Sequence, residues 1–304
     1  MRPYIITEDV EILMRKWTNQ KSFCVPSHYF FESLQDRLTE YLKTIFKNVV
    51  MIKAKDLNRQ LKKRIRLLRG TTIVSIDQIY NSTKYHLESN RIADFNTSEI
   101  IGEAERPGCP SLSKQIKHLP KNKPLVLVDD GCFSGATLNR IYELLYKEGL
   151  AVSRIVVGIL IDRKNNHLTK AHPDVPLEAI YEYDKAIDWV CERDFFIGIP
   201  LSGRTAGYKK NGEIVPYNPE ISLPYCLPFG DPVSTASIPA EKAIEFSGLI
   251  IKLSQKLWEG IEKLSGRDIL CSDIPRLPKG IQRDNQRFVN VLQKAFLNLQ
   301  EEGS

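Results

Sequence analysis

A short apolar run that ends in two acids constrains the fold of this chain more than any other stretch. Residues 125–128 are purely apolar and predict a strand buried on both faces. Asp129 and Asp130 follow this run, and small or turn-forming residues then lead into a helical pattern that begins at Thr137 and stops near Gly149. The stretch therefore predicts a strand, an acidic pair, a tight loop and a helix, as in α/β folds built on a parallel sheet.

The loop between the acids and the helix has the features of an anion site. The first N–H groups of a helix have no partner within the helix, so they suit an anion, and Ser134 and Thr137 add hydroxyl groups. Asp129 and Asp130 would repel a bound phosphate unless they face a vicinal diol or a metal ion. A sugar phosphate meets both requirements. The alternative is an ordinary strand-to-helix turn with capping acids, and the buried strand before the pair makes that alternative weaker.

Residues 125–137 contain four apolar residues, two acids, three further residues and then Ser-Gly-Ala-Thr. This order resembles the phosphoribosyl pyrophosphate (PRPP) motif of the type I phosphoribosyltransferases. The resemblance implies that Asp129 and Asp130 hold the ribose 2- and 3-hydroxyls, bind Mg²⁺ and contribute to catalysis. The 5-phosphate site that it implies consists of Phe133, Ser134, Gly135, Ala136 and Thr137.

One position departs from the family pattern. Many purine-using members have an acid at the first position of the phosphate loop, where it acts as general base toward the nucleobase, and this chain has Phe133. Two functions therefore stay open. The first is transfer of a phosphoribosyl group from PRPP to a nitrogen nucleophile, a nucleobase or a related amine, with release of pyrophosphate. The second is a PRPP or nucleotide sensor without catalysis that acts through a partner.

The resemblance also indicates where pyrophosphate would bind. In the family, the turn after the first core strand contacts pyrophosphate, and Lys53 and Lys55 follow a predicted strand at 49–52. A mobile loop before the PRPP strand closes basic residues over the same group, which makes Arg91 and Arg106 candidate catalytic residues. An arginine suits this role because its planar guanidinium binds a diphosphate through two hydrogen bonds.

A third stretch, residues 189–204, is similar to the base-binding stretch of hypoxanthine-guanine phosphoribosyltransferases. The similarity implies that Phe195 stacks on a nucleobase, with Trp189 as a second candidate. Ser202 stands where that family has an acid that assists a metal ion. A core strand is the alternative interpretation of the same apolar residues.

The whole chain predicts an α/β fold with a parallel-sheet, type I phosphoribosyltransferase-like core and an extra, mainly helical C-terminal region. The expected parts are an N-terminal extension (1–20), the core (20–205), a lid or strap rich in proline and aromatic residues (206–238) and a helical region (239–304). The C-terminal helices are candidates for a homodimer contact or for binding a partner protein.

Composition indicates the cellular compartment of the protein and the kinds of partner it binds. The six cysteines are scattered without a C-x-x-C pair, and no secretory signal or apolar run of about 18 residues is present. We therefore expect a cytoplasmic protein with reduced thiols that binds no membrane. A helix predicted near residues 57–69 has a basic face, but its apolar stripe favours a solvated face on a packed helix over a nucleic-acid surface. The net charge of +6 is compatible with a polyanionic small substrate and with nucleic acid, so it does not decide between these two ligands.

Overall fold

The computed structural model of the chain describes residues 1–80 and 83–302. Its strands are β1 (Tyr4–Thr7), β2 (Val49–Ile52), β3 (Thr72–Ser75), β4 (Tyr85–His86), β5 (Ser89–Asp94), β6 (Ile100–Glu105), β7 (Leu125–Cys132), β8 (Val152–Ile161), β9 (Leu177–Tyr183), β10 (Asp188–Cys191), β11 (Arg204–Lys210), β12 (Glu213–Pro216) and β13 (Ser222–Leu223). Its helices are α1 (Val10–Lys21), α2 (His28–Ile45), α3 (Ala54–Arg66), α4 (Leu112–Lys117), α5 (Ala136–Lys147), α6 (His167–Ala171), α7 (Pro232–Ala236), α8 (Ala243–Ser265) and α9 (Phe288–Glu302).

The predicted apolar strand lies at the centre of the main sheet. Within the described residues this sheet is parallel and has the order β4-β3-β7-β8-β9. Leu127 of β7 lies beside Val74 of β3 and Ile155 of β8, and all three are fully buried. Apolar residues of α4, α5 and α6 pack on one face of the sheet, and those of α3 pack on the other. The α/β core expected from the sequence is therefore confirmed.

A second parallel sheet, of order β10-β1-β2, begins with the first residues of the chain. Its central strand is β1, and Tyr4, Ile5 and Ile6 are fully buried there. The Tyr4 hydroxyl also donates a hydrogen bond to the backbone oxygen of Ala236, at 2.9 Å. The sequence predicts residues 1–20 to be an extension, and that division stays a prediction; the structure gives β1 a neighbouring strand on both sides.

The third sheet joins two distant parts of the chain. Its order is β12-β11-β5-β6, and β13 also pairs with β11. The two outer strands β6 and β12 meet, since a Cβ atom on Gly102 would lie 1.9 Å from the Ile214 side chain. Residues 206–238, which the sequence predicts to be a lid or strap, contain most of β11, which pairs with β5, and also β12 and β13, which pair with β11.

The C-terminal region is helical, as the sequence predicts. The apolar side chains of α8 and α9 pack with those of α1 and α2 in the largest hydrophobic cluster. Trp258 is fully buried in that cluster, and its Nε1 donates to the backbone oxygen of Ile197 at 2.9 Å. Because these stripes face the interior, a dimer or partner contact through the two helices stays a prediction. No helix within the described ranges combines the length and the apolar character that crossing a membrane requires.

Candidate active site

The phosphate loop, residues 133–137, connects the end of β7 to the first turn of α5. Gly135 precedes the helix with a φ of 80°, and a Cβ atom there would lie 2.0 Å from Oδ1 of Asn166. The Asn166 amide donates to the backbone oxygen of Phe133 at 3.0 Å, and the His167 N–H donates to that of Ser134 at 2.8 Å. A neighbouring loop thus holds the phosphate loop in place, and the close packing requires glycine at position 135.

The loop presents unfilled backbone donors. Among the described residues, the N–H groups of Phe133, Ser134 and Gly135 have no acceptor, whereas that of Ala136 donates to the Ser134 hydroxyl at 3.4 Å. The start of α5 adds the free N–H groups and the positive dipole end of a helix. Such a group of donors binds phosphate well.

Three carboxyl groups lie beside the loop. Asp129 is buried and accepts the N–H of Asp130 at 3.0 Å, and Asp77 lies in the turn after the neighbouring strand β3. Burial, together with the Asp130 charge, raises the pKa of Asp77 to about 6. Burial also raises the pKa of Asp129, and the charges of Asp130 and Asp77 raise it further. A cation or a sugar diol between these groups would relieve this repulsion.

The described residues contain no group of three or more His, Cys, Asp or Glu side chains arranged to hold a metal ion. A Mg²⁺ ion at Asp129 and Asp130 would therefore take its other ligands from water and from the phosphates of a substrate. That is the usual way in which proteins bind Mg²⁺. The crowded carboxyl groups fit such an ion.

Arg193, which follows β10, brings the second sheet into the site. Its guanidinium forms an ion pair with Asp9, and its backbone N–H donates to the same carboxylate at 2.8 Å. Its Nη2 lies 3.8 Å from Oδ2 of Asp130. Asp9, which follows β1, is fully buried. The N-terminal strand therefore positions a cation beside the acidic pair of the main sheet.

The third sheet contributes two arginines, Arg204 and Arg91, to the site. Thr205 of β11 lies beside Ile92 of β5, so Arg204 and Arg91, one residue earlier on each strand, are neighbours on one face. Within the described part of the chain, neither has a carboxylate at ion-pair distance. Arg106 lies 3.3 Å from Glu88, and the buried Arg276 lies 3.1 Å from Glu220.

These groups line a single cavity of about 460 Å³. The sequence-predicted residues at this cavity are Asp129, Asp130, Phe133, Ser134, Gly135, Ala136, Thr137, Arg91, Arg106 and Trp189. Further residues that line it are Asp77, Glu103, Asp188, Arg193, Asp194, Arg204, Tyr225 and Arg276. The cavity therefore combines residues 129–137 of the PRPP-like motif with side chains from the three sheets of the described residues.

Lys53 and Lys55 lie outside this cavity, so contact of either lysine with pyrophosphate stays a prediction. The Lys53 ammonium is 3.3 Å from the Gln35 side chain and 3.7 Å from that of Glu8. Lys55 lines a separate surface groove along the basic face of α3. The reason is topological: β2 belongs to the second sheet, and the strand beside β7 is β3. The turn after β3, residues 76–79, lines the cavity instead.

The two predicted base-binding aromatics have different environments. Phe195 is fully buried and packs edge-on against Tyr225 and Phe246, so neither face of its ring is open to a nucleobase. Trp189 is half-buried at the cavity, and its ring lies so close to Gly131 that a Cβ atom there would be 2.3 Å away. Of the two, only Trp189 is placed to contact a ligand.

The match to a known family agrees with this geometry. The family model PRTase-CE matches residues 29–198, more than half of the 304 residues. The chain belongs to the PRTase-CE family. The predicted membership of a type I phosphoribosyltransferase-like family is thereby confirmed.

Solved structures similar to this chain include two adenine phosphoribosyltransferases. The protein from Thermoanaerobacter pseudethanolicus is 12% identical, with a TM-score of 0.30, and the alignment covers 43% of this chain and 82% of that one. For the protein from Rhodothermus marinus the identity is 12%, the TM-score 0.28, and the shares covered are 42% and 78%. The comparison with curated proteins gave no match. The assignment to a family rests on the PRTase-CE match.

Part of the cavity lies beyond the segment that the family model matches. Residues C-terminal to position 198 at the cavity are Leu201, Gly203, Arg204, Tyr225, Ser234, Thr235 and Arg276. The sequence analysis missed Asp9 and Asp77, although each comes two residues after a short strand rich in β-branched residues, and this pattern can be read from the sequence. Arg193 and Arg276 have no comparable local signal, because distant pairing alone brings them to the site.

Proposed function

We propose that this protein binds PRPP with Mg²⁺ and transfers the phosphoribosyl group to a nitrogen nucleophile, with release of pyrophosphate. One observation carries the proposal. The unfilled donors of the phosphate loop and the crowded carboxyl groups of Asp129 and Asp130 line the same cavity. A phosphorylated sugar has the groups that satisfy both, because its phosphate accepts hydrogen bonds and its diol donates them.

The ligand would bind along the end of β7. Its 5-phosphate would accept hydrogen bonds from the phosphate loop, and its ribose hydroxyls would donate to Asp129 and Asp130. When bound there, Mg²⁺ would neutralise charge on the diphosphate. Arg91 and Arg193 line the same cavity and would bind the diphosphate.

The proposed reaction exchanges one bond at C1 of the ribose. The bond from C1 to the pyrophosphate oxygen breaks, its electron pair leaves with pyrophosphate, and the nitrogen of the acceptor forms the new bond. The ribose ring gains positive charge as pyrophosphate leaves. The chain's own contribution is then to hold the reactants in line and to surround the separating charges with fixed carboxylates and guanidinium groups.

The test is a calorimetric titration of the full chain with PRPP in the presence and absence of Mg²⁺. We expect micromolar binding in the wild type and at least a hundredfold weaker binding in the Asp129→Asn/Asp130→Asn variant, since each lost hydrogen bond to a charged group weakens binding by about 1.5–3 kcal/mol. Asp184→Asn is the matched control, because Asp184 follows the neighbouring strand β9, is exposed and lies outside the cavity. Absence of binding at millimolar PRPP would contradict the proposal.

A sensor without catalysis is the second candidate, and two features favour it. Phe133 exposes 40% of its surface at the loop position where purine-using relatives have an acid. The turn after β3, which lines the cavity, carries the acidic Asp77, and an acid there repels pyrophosphate. A pyrophosphate-release assay over a panel of nucleobases and amines distinguishes the candidates. Release with any acceptor supports the transferase, whereas tight PRPP binding without release supports the sensor.

A further inference from the structure

Glu103 of β6 occupies part of the phosphate loop. Its Oε1 accepts a hydrogen bond from the hydroxyl of Thr137, and its backbone oxygen accepts one from the Arg140 side chain. Only 11% of the Glu103 side chain is exposed. A carboxylate from another strand therefore engages the hydroxyl that the motif offers to a phosphate.

The second oxygen of this carboxylate is poorly satisfied. Oε2 of Glu103 is buried and has no hydrogen-bond donor among the described residues, and the nearest cation, Arg140, is 3.7 Å away. A buried carboxylate oxygen without a donor is unfavourable. The neighbouring N–H groups of Ser134 and Gly135 are also unfilled. The contact therefore leaves both the carboxylate and the loop short of hydrogen bonds.

We infer that Glu103 is an autoinhibitory residue that competes with the phosphate of the ligand for Thr137. This inference rests on the proposed function, because it requires a phosphate in the loop. The hydroxyl of Thr137 donates a single hydrogen bond, and two anions at that distance repel each other. A phosphate ester must therefore displace Glu103, and a sugar without the 5-phosphate has no group that replaces it.

A displaced Glu103 carboxylate would have a cationic side chain nearby, that of Arg91. Glu103 is the cross-strand neighbour of Arg91 in the β5–β6 hairpin. Arg91 has no carboxylate at ion-pair distance within the described ranges, so it is available to Glu103 when a ligand without a diphosphate enters the loop. Because β6 packs against β12 through Gly102 and Ile214, a shift of β6 also reaches the C-terminal part of the third sheet.

Ribose 5-phosphate tests the competition, because it carries the phosphate without the diphosphate. We would titrate it, and unphosphorylated ribose, into the wild type, Glu103→Gln, Glu103→Ala and the control Glu105→Gln. Glu105 lies on the same strand but outside the cavity. We expect both Glu103 variants to bind ribose 5-phosphate roughly tenfold tighter than the wild type, the scale of one hydrogen bond to a charged group. The affinities of ribose and of the control should not change.

The direction of the change in affinity for ribose 5-phosphate distinguishes competition with the phosphate from structural support of the loop. A side chain that only supports the loop would weaken binding when removed, so equal or weaker affinity in both Glu103 variants overturns the inference. Hydrogen exchange gives a second readout: amides of residues 100–105 should exchange faster when ribose 5-phosphate binds the wild type, and no change there also overturns it. If the wild type binds PRPP through Asp129 and Asp130, either result leaves the proposed function intact. If the wild type binds neither PRPP nor ribose 5-phosphate, both the proposed function and this inference fail.

Discussion

Asp129 illustrates how a ligand site destabilises the protein that carries it. Burial and two neighbouring carboxylates raise its pKa, so the folded state disfavours the charge that a ligand or Mg²⁺ would need. A carboxyl whose pKa is raised by folding contributes stability below its unfolded pKa and loses that contribution as pH rises through the folded pKa. For Asp77, with a pKa of about 6, that window extends from about pH 4 to about pH 6.

This linkage gives a prediction for Asp129→Asn. Asparagine keeps the oxygen that accepts the Asp130 N–H but removes the charge. We expect the variant to have a higher free energy of unfolding than the wild type at pH 8, and the difference to shrink toward pH 4, where the wild-type carboxyl groups are protonated. Urea denaturation of both proteins across this range measures the effect. A constant difference at all pH values, or a less stable variant at pH 8, would show that the charge of Asp129 is not the destabilising feature.

At the scale of single elements, the phosphate loop depends on a close approach between two segments. Gly135→Ala would place a methyl group against Asn166 and force a non-glycine residue into a positive φ. We expect a loss of about 1–3 kcal/mol in stability and weaker binding of ribose 5-phosphate. Gly149→Ala is the control, because Gly149 has a φ of 73° at the other end of the same helix and no atom within 4 Å. If Gly135→Ala and Gly149→Ala lose the same stability and bind ribose 5-phosphate equally well, the packing of Gly135 on Asn166 does not determine the stability of the loop or its binding of ligand.

The same element shows what the sequence predicts well. Residues 125–149 encode a strand, an acidic pair, a loop and a helix within one contiguous stretch, and the structure has β7 and α5 at these positions. The site residues that depend on strand order were harder to predict. Lys53 follows a correctly predicted strand, but that strand belongs to another sheet. Arg193 reaches the site only because β10 pairs with β1, more than 180 residues earlier in the chain. Local patterns do not encode such pairings.

At the scale of the whole molecule, the three sheets formed by the described residues meet around one cavity, and each sheet combines strands from separate parts of the chain. The main sheet supplies Asp129 and the phosphate loop, the second supplies Arg193, and the third supplies Arg91 and Arg204. The sequence predicts an N-terminal extension, a core, a lid or strap and a helical C-terminal region. In the structure the first strand is central to one sheet, and the segment after the family match completes another. Removing either end should therefore affect the site itself.

The N-terminal strand gives the sharpest test of this organisation. Deleting residues 1–9 removes the central strand of the second sheet, the buried side chains of Tyr4, Ile5 and Ile6, and the Asp9 partner of Arg193. Burying three large apolar side chains contributes roughly 1.5–3 kcal/mol each, a large part of the stability of a typical domain. We expect the truncated protein to lose its cooperative thermal transition, whereas deletion of the exposed Met1 and Arg2 alone should leave it unchanged. A truncated protein that still unfolds cooperatively and binds PRPP would mean that residues 1–9 are an extension after all.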